Sequence, residues 1–542
     1  MTATEQAAWT KPGPGAWTYD RAHNVGPVTP IMQEVFPTAM ADGFRSFTGR
    51  YGLPLSHIDV RYVNDHAYGS ARIAGIPATD RPPPPAWLLS VVSRMHPEMR
   101  RRNRRALAAA AGRMWRDDLR RWFDDLRPRR LASLRALQAI DPEALDDAEL
   151  SRHVGECVAE VRSGLREHFS LVGAAGLPVG LYIVREGERG RSTAEALADL
   201  RGAGSESTGA TVPALAAVAS ALIDAGVEPT TLGEARAASP AAAAALDTYL
   251  DDYGQRVIGA FDITGRRLVE MPDLILRSVA AAKGREVVEA VGPSEGDAVT
   301  DDARLAVASR DDHAGISCMW PVGLLRRALL VAGGRLLASG RLADPEHVLL
   351  MRGDEVRAAL AGSAAEPSAA ELAVRVATRR RHGSLEPPAV LGEMHPPPDP
   401  AVFPVGLRRM TIAMNAFLGA LEGVRSDRSA DGHGTERSGT GVGAVAHRGR
   451  AVVALDPEDA MFRLEPGDVL VTPTTTPAFN CVLPVAGALV TAHGGLMSHA
   501  GLAARELGIP AVLGVLDAHL VIPDGAEIEV DPANGRVRLV TP

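Results

Sequence analysis

Apolar positions change their spacing several times along the chain, and each change predicts a different kind of structure. Residues 1 to about 85 mix extended and loop signals and close on Arg81 followed by four prolines. Consecutive prolines fix φ and remove backbone donors, so a boundary is expected at 81–86. From Trp87 to about Leu150, apolar residues such as Leu107, Met114, Leu119, Trp122, Leu126 and Leu134 recur at three- and four-residue steps among arginines and aspartates. That spacing predicts amphipathic helix. Helical signal continues, with Gly/Pro interruptions, to about residue 425, most clearly over 151–173, 212–226, 241–258 and 322–340. Alanine runs such as the five after Pro240 favour helix and allow close helix packing. No fixed-period repeat is present, which argues against a solenoid.

The texture changes at 426–443, a polar, glycine-rich stretch that reads as a flexible linker. Beyond it, short runs rich in Val and Ala at 444–455, 468–472, 487–491, 511–515 and 526–530 predict strands separated by Gly, Pro and Asp turns. One helix, about 499–507, interrupts them. The expected fold class is therefore multidomain, α and α/β. A large, mainly helical region occupies 1–425, a linker 426–443, and a small C-terminal α/β domain 444–542. A small domain on a tether is expected to move.

Composition narrows the function. With 58 Lys+Arg against 66 Asp+Glu the net charge is −8, and a dedicated nucleic-acid binder would need a basic surplus. Almost all the positive charge is arginine, the two lysines being Lys11 and Lys283. The arginines at 100–105 are followed by Asp117, Asp118, Asp124 and Asp125, so a solvated, ion-paired helix face is expected there. Three distant cysteines give neither a disulfide framework nor a zinc knuckle. The N-terminus lacks the order of a signal peptide, and no membrane span is expected. A cytoplasmic location is the resulting expectation.

The most informative segment runs from Thr491 to Gly514, TAHGGLMSHAGLAARELGIPAVLG. A strand enters a loop holding Gly494 and Gly495, and Ser498 then caps a helix. His499 falls on that helix's first turn, beside unpaired N–H groups and the positive end of its dipole, a place that favours anions. The glycines would let backbone approach a phosphate closely, and an imidazole is a competent nucleophile near neutrality. Arg505 and Glu506 lie seven residues from Ser498 and His499 on the same face, as phosphate support or as a structural ion pair.

This segment resembles the phosphohistidine swivelling domain of the phosphoenolpyruvate-utilising enzymes. Their pattern Gly-Gly-x-x-Ser/Thr-His-Ala-x-x-x-Ala-Arg-Glu-x-Gly-Ile-Pro-Ala-Val-x-Gly is matched at each fixed position. Upstream, Gly467-Asp-Val-Leu-Val-Thr-Pro473-Thr-Thr-Thr-Pro477 is similar to the strand and Pro-x-Thr-x-Pro loop of that domain. His493 and Gly501 depart from the usual residues. The resemblance implies that His499 is the phosphorylated residue, that Mg²⁺ and ATP are used, and that no metal ligand can be named from this chain.

The sequence ends at Pro542, too soon after His499 for the pyruvate-binding barrel of some members, so pyruvate chemistry is not expected. The order of parts resembles the rifampin phosphotransferases without their ATP-grasp domain. Patches around Asn24–Pro30, Tyr62–Tyr68 and Leu250–Pro272 resemble their substrate region, with Gln255 where a histidine is usual. There is no GxxxxGK[ST] loop. A separate ATP-grasp partner, related to pyruvate-phosphate-binding domains, is therefore expected, as in phenylphosphate synthase, with a small hydroxyl compound as acceptor. Arg256 would neutralise a moving phosphoryl group or pair with Asp251, Asp252 or Asp262. His66 with Asp65, or His23 beside Asn24, would be the base for the acceptor, unless these histidines are structural. The alternatives are a phosphocarrier or regulatory protein without its own chemistry, and a dehydratase in which phosphorylation activates a hydroxyl for elimination.

Overall fold

The structure is a computed structural model. It describes residues 9–540 apart from 22, 25, 204–210, 260, 283–296, 363–366, 424–435, 477–478 and 481. The chain forms two compact units. The first comprises Met1–Ala174, Ala260–Gly265 and Ile316–Thr411; the second comprises Ala175–Gly259, Arg266–Gly315 and Ile412–Pro542. The expected helical region over 1–425 is thus not one body. The division falls inside continuous helices, where neither composition nor turn residues change.

The first unit holds a four-stranded antiparallel sheet of β1 (Trp17–Tyr19), β2 (Leu55–Val63), β3 (His66–Ile73) and β4 (Val390–Leu391), in the order β2-β3-β1-β4. Asn64 and Asp65, at φ 49° and 61°, make the two-residue turn between β2 and β3, and both residue types tolerate that left-handed backbone. Loops and extended chain were expected here, but Pro30–Tyr51 is a 22-residue helix. Thr29 precedes it, Pro30 occupies its first turn and Gly52 at φ 69° ends it, an entry and exit consistent with capping rules. Asp262 anchors its start, accepting from Thr29 N and Oγ1 at 2.8 and 3.0 Å and from Thr264 N and Oγ1 at 3.0 and 2.8 Å.

The proline run is extended and the next helix begins at Ala86, yet both sides belong to the same unit. Helices Ala86–Met95, Pro97–Gly112, Met114–Arg121 and Arg127–Ala139 follow. Arg102, from the basic run, is 6% exposed. It donates to the carbonyls of Thr48, Leu53 and Leu55 at 3.1, 2.6 and 2.8 Å, tying the end of the Pro30–Tyr51 helix to the start of β2.

Two helical runs, Asp147–Glu188 and Ala298–Ala338, are long and apolar enough by composition to cross a membrane, contrary to the expectation that none would be. Their apolar windows are 67% and 78% buried within the fold, as in core helices. Small residues permit the expected close packing. A Cβ on Gly164 would lie 1.8 Å from Ser317 O, and one on Gly180 1.8 Å from Ala413 O.

In the second unit an eight-stranded sheet has the order β5-β12-β11-β7-β8-β9-β10-β6. Its strands are β5 (Glu436–Ser438), β6 (Thr440–Val442), β7 (His447–Val453), β8 (Val469–Thr472), β9 (Ala488–Thr491), β10 (Ala511–Leu513), β11 (Glu527–Asp531) and β12 (Arg536–Leu539). Strands β7 to β10 are parallel neighbours and the flanking pairs are antiparallel. Val469, Val471, Ala488, Val490, Val512, Ile528 and Val530 build its core. The five expected β runs all carry strands. The expected linker is corrected in part, because β5 and β6 fall inside 426–443. Their alternation is too short and polar to read, and pairing with β12 and β10 supplies the missing order. The rest of that linker, apart from 439 and 443, lies outside the described residues.

Candidate phosphohistidine site

Strand β9 ends at Thr491, and the chain crosses a short loop into the helix His499–Leu507 before returning as β10. This places the site outside the carboxyl ends of the parallel strands, where open α/β sheets bind ligands. Ser498 is the helix cap, as expected. Its Oγ accepts from Gly501 N at 3.3 Å and donates to Gly495 O at 2.7 Å. His499 is the first helical residue and 8% exposed. Its Nδ1 lies 2.9 Å from Thr475 Oγ1 and its Nε2 lies 2.8 Å from Asn480 Oδ1. An amide oxygen only accepts, so Nε2–H donates to Asn480, while Nδ1 pairs with the threonine hydroxyl, which can donate or accept.

The loop that holds the two glycines packs against a helix end. Gly495 N and Met497 N donate to Leu421 O and Ala420 O at 2.9 and 2.7 Å, capping the end of the Val405–Glu422 helix. A Cβ on Gly495 would lie 2.5 Å from Gly423 N. Its smallness therefore serves helix-to-loop contact. Gly494 has φ 99°, a backbone that favours glycine. Gly501 is explained the same way, since a Cβ there would meet Gly495 O and Leu496 O at 2.6 Å.

Arg505 is 8% exposed and its guanidinium reaches Leu496 O at 3.5 Å, bracing the loop from the helix. Glu506 accepts from Gly202 N at 3.1 and 3.3 Å. Burial raises its pKa, opposed by the charge of Arg505. Arg310, on the helix Ala298–Ala314, donates to Met497 O and lies over the Phe417 ring at 5.5 Å. His493 N donates to Pro473 O at 2.9 Å, so His493 continues the β8–β9 pairing.

The other expected site residues lie elsewhere. Arg256 donates to Asp252 O at 3.0 Å and stacks on Tyr253 at 4.5 Å. Burial lowers its pKa against the opposing influence of Tyr253, Asp312 and Asp252. His66 is 2% exposed, with Nδ1 bonded to Asn64 O at 2.7 Å between the rings of Trp9 and Tyr19. Its expected partner Asp65 instead bonds His382 Nδ1 at 2.7 Å. Because Asp65 sits in the tight turn, its carboxylate is turned away from its neighbour, and a His66–Asp65 base pair is not formed. Thr475, Asn480 and Arg310 were not singled out from the sequence. Thr475 is the middle residue of the Pro-x-Thr-x-Pro loop and was within reach; Asn480 and Arg310 carry no local signal.

Residues 464–535 match the family model described as PEP-utilising enzyme, mobile domain. The matched segment includes His499 and its helix. A phosphoenolpyruvate synthase of Aeropyrum pernix is 47% identical over 89 residues, 16% of this chain and 11% of that protein. A rifampicin phosphotransferase of a Streptomyces species is 30% identical over 331 residues, 55% of this chain. A rifampicin phosphotransferase of Bacillus cereus is 24% identical over 330 residues. The chain covers 34% of the length of each of these two phosphotransferases.

Proposed function

We infer that this chain is a phosphotransferase component. His499 accepts a phosphoryl group from ATP held by a separate ATP-grasp protein and passes it to a hydroxyl of a small organic molecule. The observation that carries this reading is the His499 ring, held between Thr475 and Asn480 on the first turn of a capped helix inside the mobile-domain segment. A neutral nitrogen has the lone pair that attacks phosphorus, and the helix start favours the phosphate that results. Whichever nitrogen reacts must first release Thr475 or Asn480, so the doubly bonded ring is a resting state.

Family precedent supports ATP and Mg²⁺. When bound, the ion neutralises phosphate charge during transfer. Among the described residues no group of three or more His, Cys, Asp or Glu side chains is placed to hold a metal. In this reading the ion accompanies the nucleotide on the partner protein.

The test is labelling of the full chain with ATP carrying radiolabel in its β-phosphate, Mg²⁺ and a candidate ATP-grasp protein, for wild type and His499→Ala. Acid-labile, base-stable label on wild type alone is expected. Equal label on His499→Ala, shown folded by circular dichroism, overturns the assignment. The mass of the acceptor product separates phosphorylation, which adds phosphate, from dehydration, which removes water.

A further inference from the structure

The first unit contains a second histidine whose surroundings are those of a base. Asp20 and His23 lie just after β1. His23 Nδ1 is 3.0 Å from Asp20 Oδ1, which also accepts the His23 backbone N–H at 3.1 Å. Asn24 Nδ2 donates to the other oxygen, Asp20 Oδ2, at 3.0 Å. The ring is pinned from the remaining sides by Phe169, Phe261, Phe36 and His168, at centroid distances of 5.3, 5.7, 6.0 and 6.3 Å. Its backbone carbonyl accepts from Phe261 N at 3.0 Å. With Nδ1–H given to Asp20, a neutral ring keeps its lone pair on Nε2. Nε2 has no hydrogen-bond partner among the described residues, and the His23 side chain remains 25% exposed.

Two further groups await a partner beside this pair. Asn24 is 1% exposed, yet its Oδ1 has no hydrogen bond among the described residues. The Tyr62 hydroxyl is equally buried and unbonded, near enough to Asp20 and Asp262 to feel both charges. An unmet buried acceptor is costly, and such groups call for an explanation at a ligand or water site. Asn24 Oδ1 asks for a donor. Two neighbouring carboxylates disfavour an anionic ligand.

We propose that Asp20, His23, Asn24 and Tyr62 form the site for a neutral or cationic hydroxyl compound, with His23 Nε2 as the base that removes the hydroxyl proton. Asp20 is the positioning residue. The proposal rests on the phosphohistidine reading above. In the transfer step the acceptor oxygen attacks phosphorus as its proton goes to His23 Nε2. The P–N bond to His499 breaks, and its electron pair stays on the His499 nitrogen. His23 then returns the proton to solvent.

The groups facing His23 set its pH dependence. Burial lowers its pKa, but the Asp20 charge and hydrogen bond outweigh that, and the net shift is upward. Asp20 is itself held low: burial opposes ionisation, and the charge and bonds of His23 with the Asn24 bond overcome it. His168 adds a second imidazole, and Tyr62 stays protonated because burial raises its pKa. The base form therefore appears as pH rises past the usual histidine range, and Asp20→Asn should move that midpoint down.

The experiment separates this site from His499. The full chain is phosphorylated with phosphoramidate, a small donor that needs no protein partner, and loss of phosphohistidine is followed with tyrosol, tyramine or 4-hydroxyphenylacetate. His23→Gln should keep His499 phosphorylation and lose acceptor-driven dephosphorylation by about 100-fold. Asp20→Asn should shift the pH midpoint downward. Tyrosol and tyramine should act and the anion should not. Transfer within twofold of wild type in His23→Gln, or preference for the anion, overturns the proposal. If wild type takes no label at His499, the phosphohistidine reading fails by itself. The hydroxyl site is then judged by nitrogen-15 imidazole spectra. Perturbation of His23 by tyrosol, abolished in Asn24→Ala, upholds it, and an unmoved His23 refutes it.

Discussion

At the residue scale, position matters more than identity. The sequence holds 15 histidines, and what distinguishes His499 is that Thr475 and Asn480 hold both ring nitrogens at the start of a helix. His66 shows the converse, since burial lowers its pKa and its partner is a carbonyl. His499 and its cap were legible because strand, glycines, Ser and helix are consecutive. The His66–Asp65 expectation failed because adjacency in sequence does not survive a two-residue turn. Gly501 gives a prediction at this scale. Gly501→Ala places a methyl against Gly495 O and Leu496 O, neither of them a flexible side chain. It should destabilise the domain by about 1–3 kcal/mol, read as a lower denaturant midpoint, with His499 labelling reduced because the loop shifts.

At the element scale, the loop before His499 is held by two helices of the same unit. The Val405–Glu422 helix accepts from Gly495 N and Met497 N and Arg310 donates to Met497 O, while Glu506, on the helix that follows, accepts from Gly202 N. Arg310→Ala should leave the helix Ala298–Ala314 intact but loosen the loop. Faster hydrogen exchange over residues 493–498 is the expected readout, and unchanged exchange would deny Arg310 this role. Glu506 contributes a pH term. Its folded pKa is raised by burial, so the folded state binds its proton more tightly than the unfolded one. Stability is then lost as pH rises through the window from the ordinary glutamate value to the raised one. Glu506→Gln should flatten the melting temperature across that window, and an identical slope in the variant would refute the assignment. Helix and strand types were legible from periodicity in most of these elements. The Pro30–Tyr51 helix was not, because the contacts that support it, from Asp262 and Arg102, are remote in sequence.

At the scale of the whole molecule, the charge is arginine and aspartate or glutamate, with two lysines in 542 residues. Arginine keeps its proton well beyond pH 10, where lysine begins to lose its own. Alkaline conditions should therefore leave the many Arg ion pairs in place. The tyrosines set the limit instead. Burial raises the pKa of Tyr19, Tyr51, Tyr62, Tyr68, Tyr182 and Tyr253. These phenols stay protonated in the fold and ionise on unfolding, so stability falls as pH rises above about 10. Tyrosinate absorbance should appear together with loss of helical circular dichroism. Gradual titration of the tyrosines in an intact fold would show that burial does not control them.

The sequence alone determined the helix-rich character of the chain, the α/β nature of its C-terminal part and the place of His499 at the start of a capped helix, because each depends on residues within one or two turns of each other. Local spacing is enough to express a helix cap, an alternating strand or a strand-to-helix loop. The tertiary structure alone decided the division into two units, the inclusion of β5 and β6 in the sheet, the purpose of Gly495 and Gly501, and the placing of Tyr62 near Asp20. Those depend on contacts between distant segments, where a hydrogen bond or a missing Cβ is set by what folds against it. Spacing along the chain carries no record of such a neighbour.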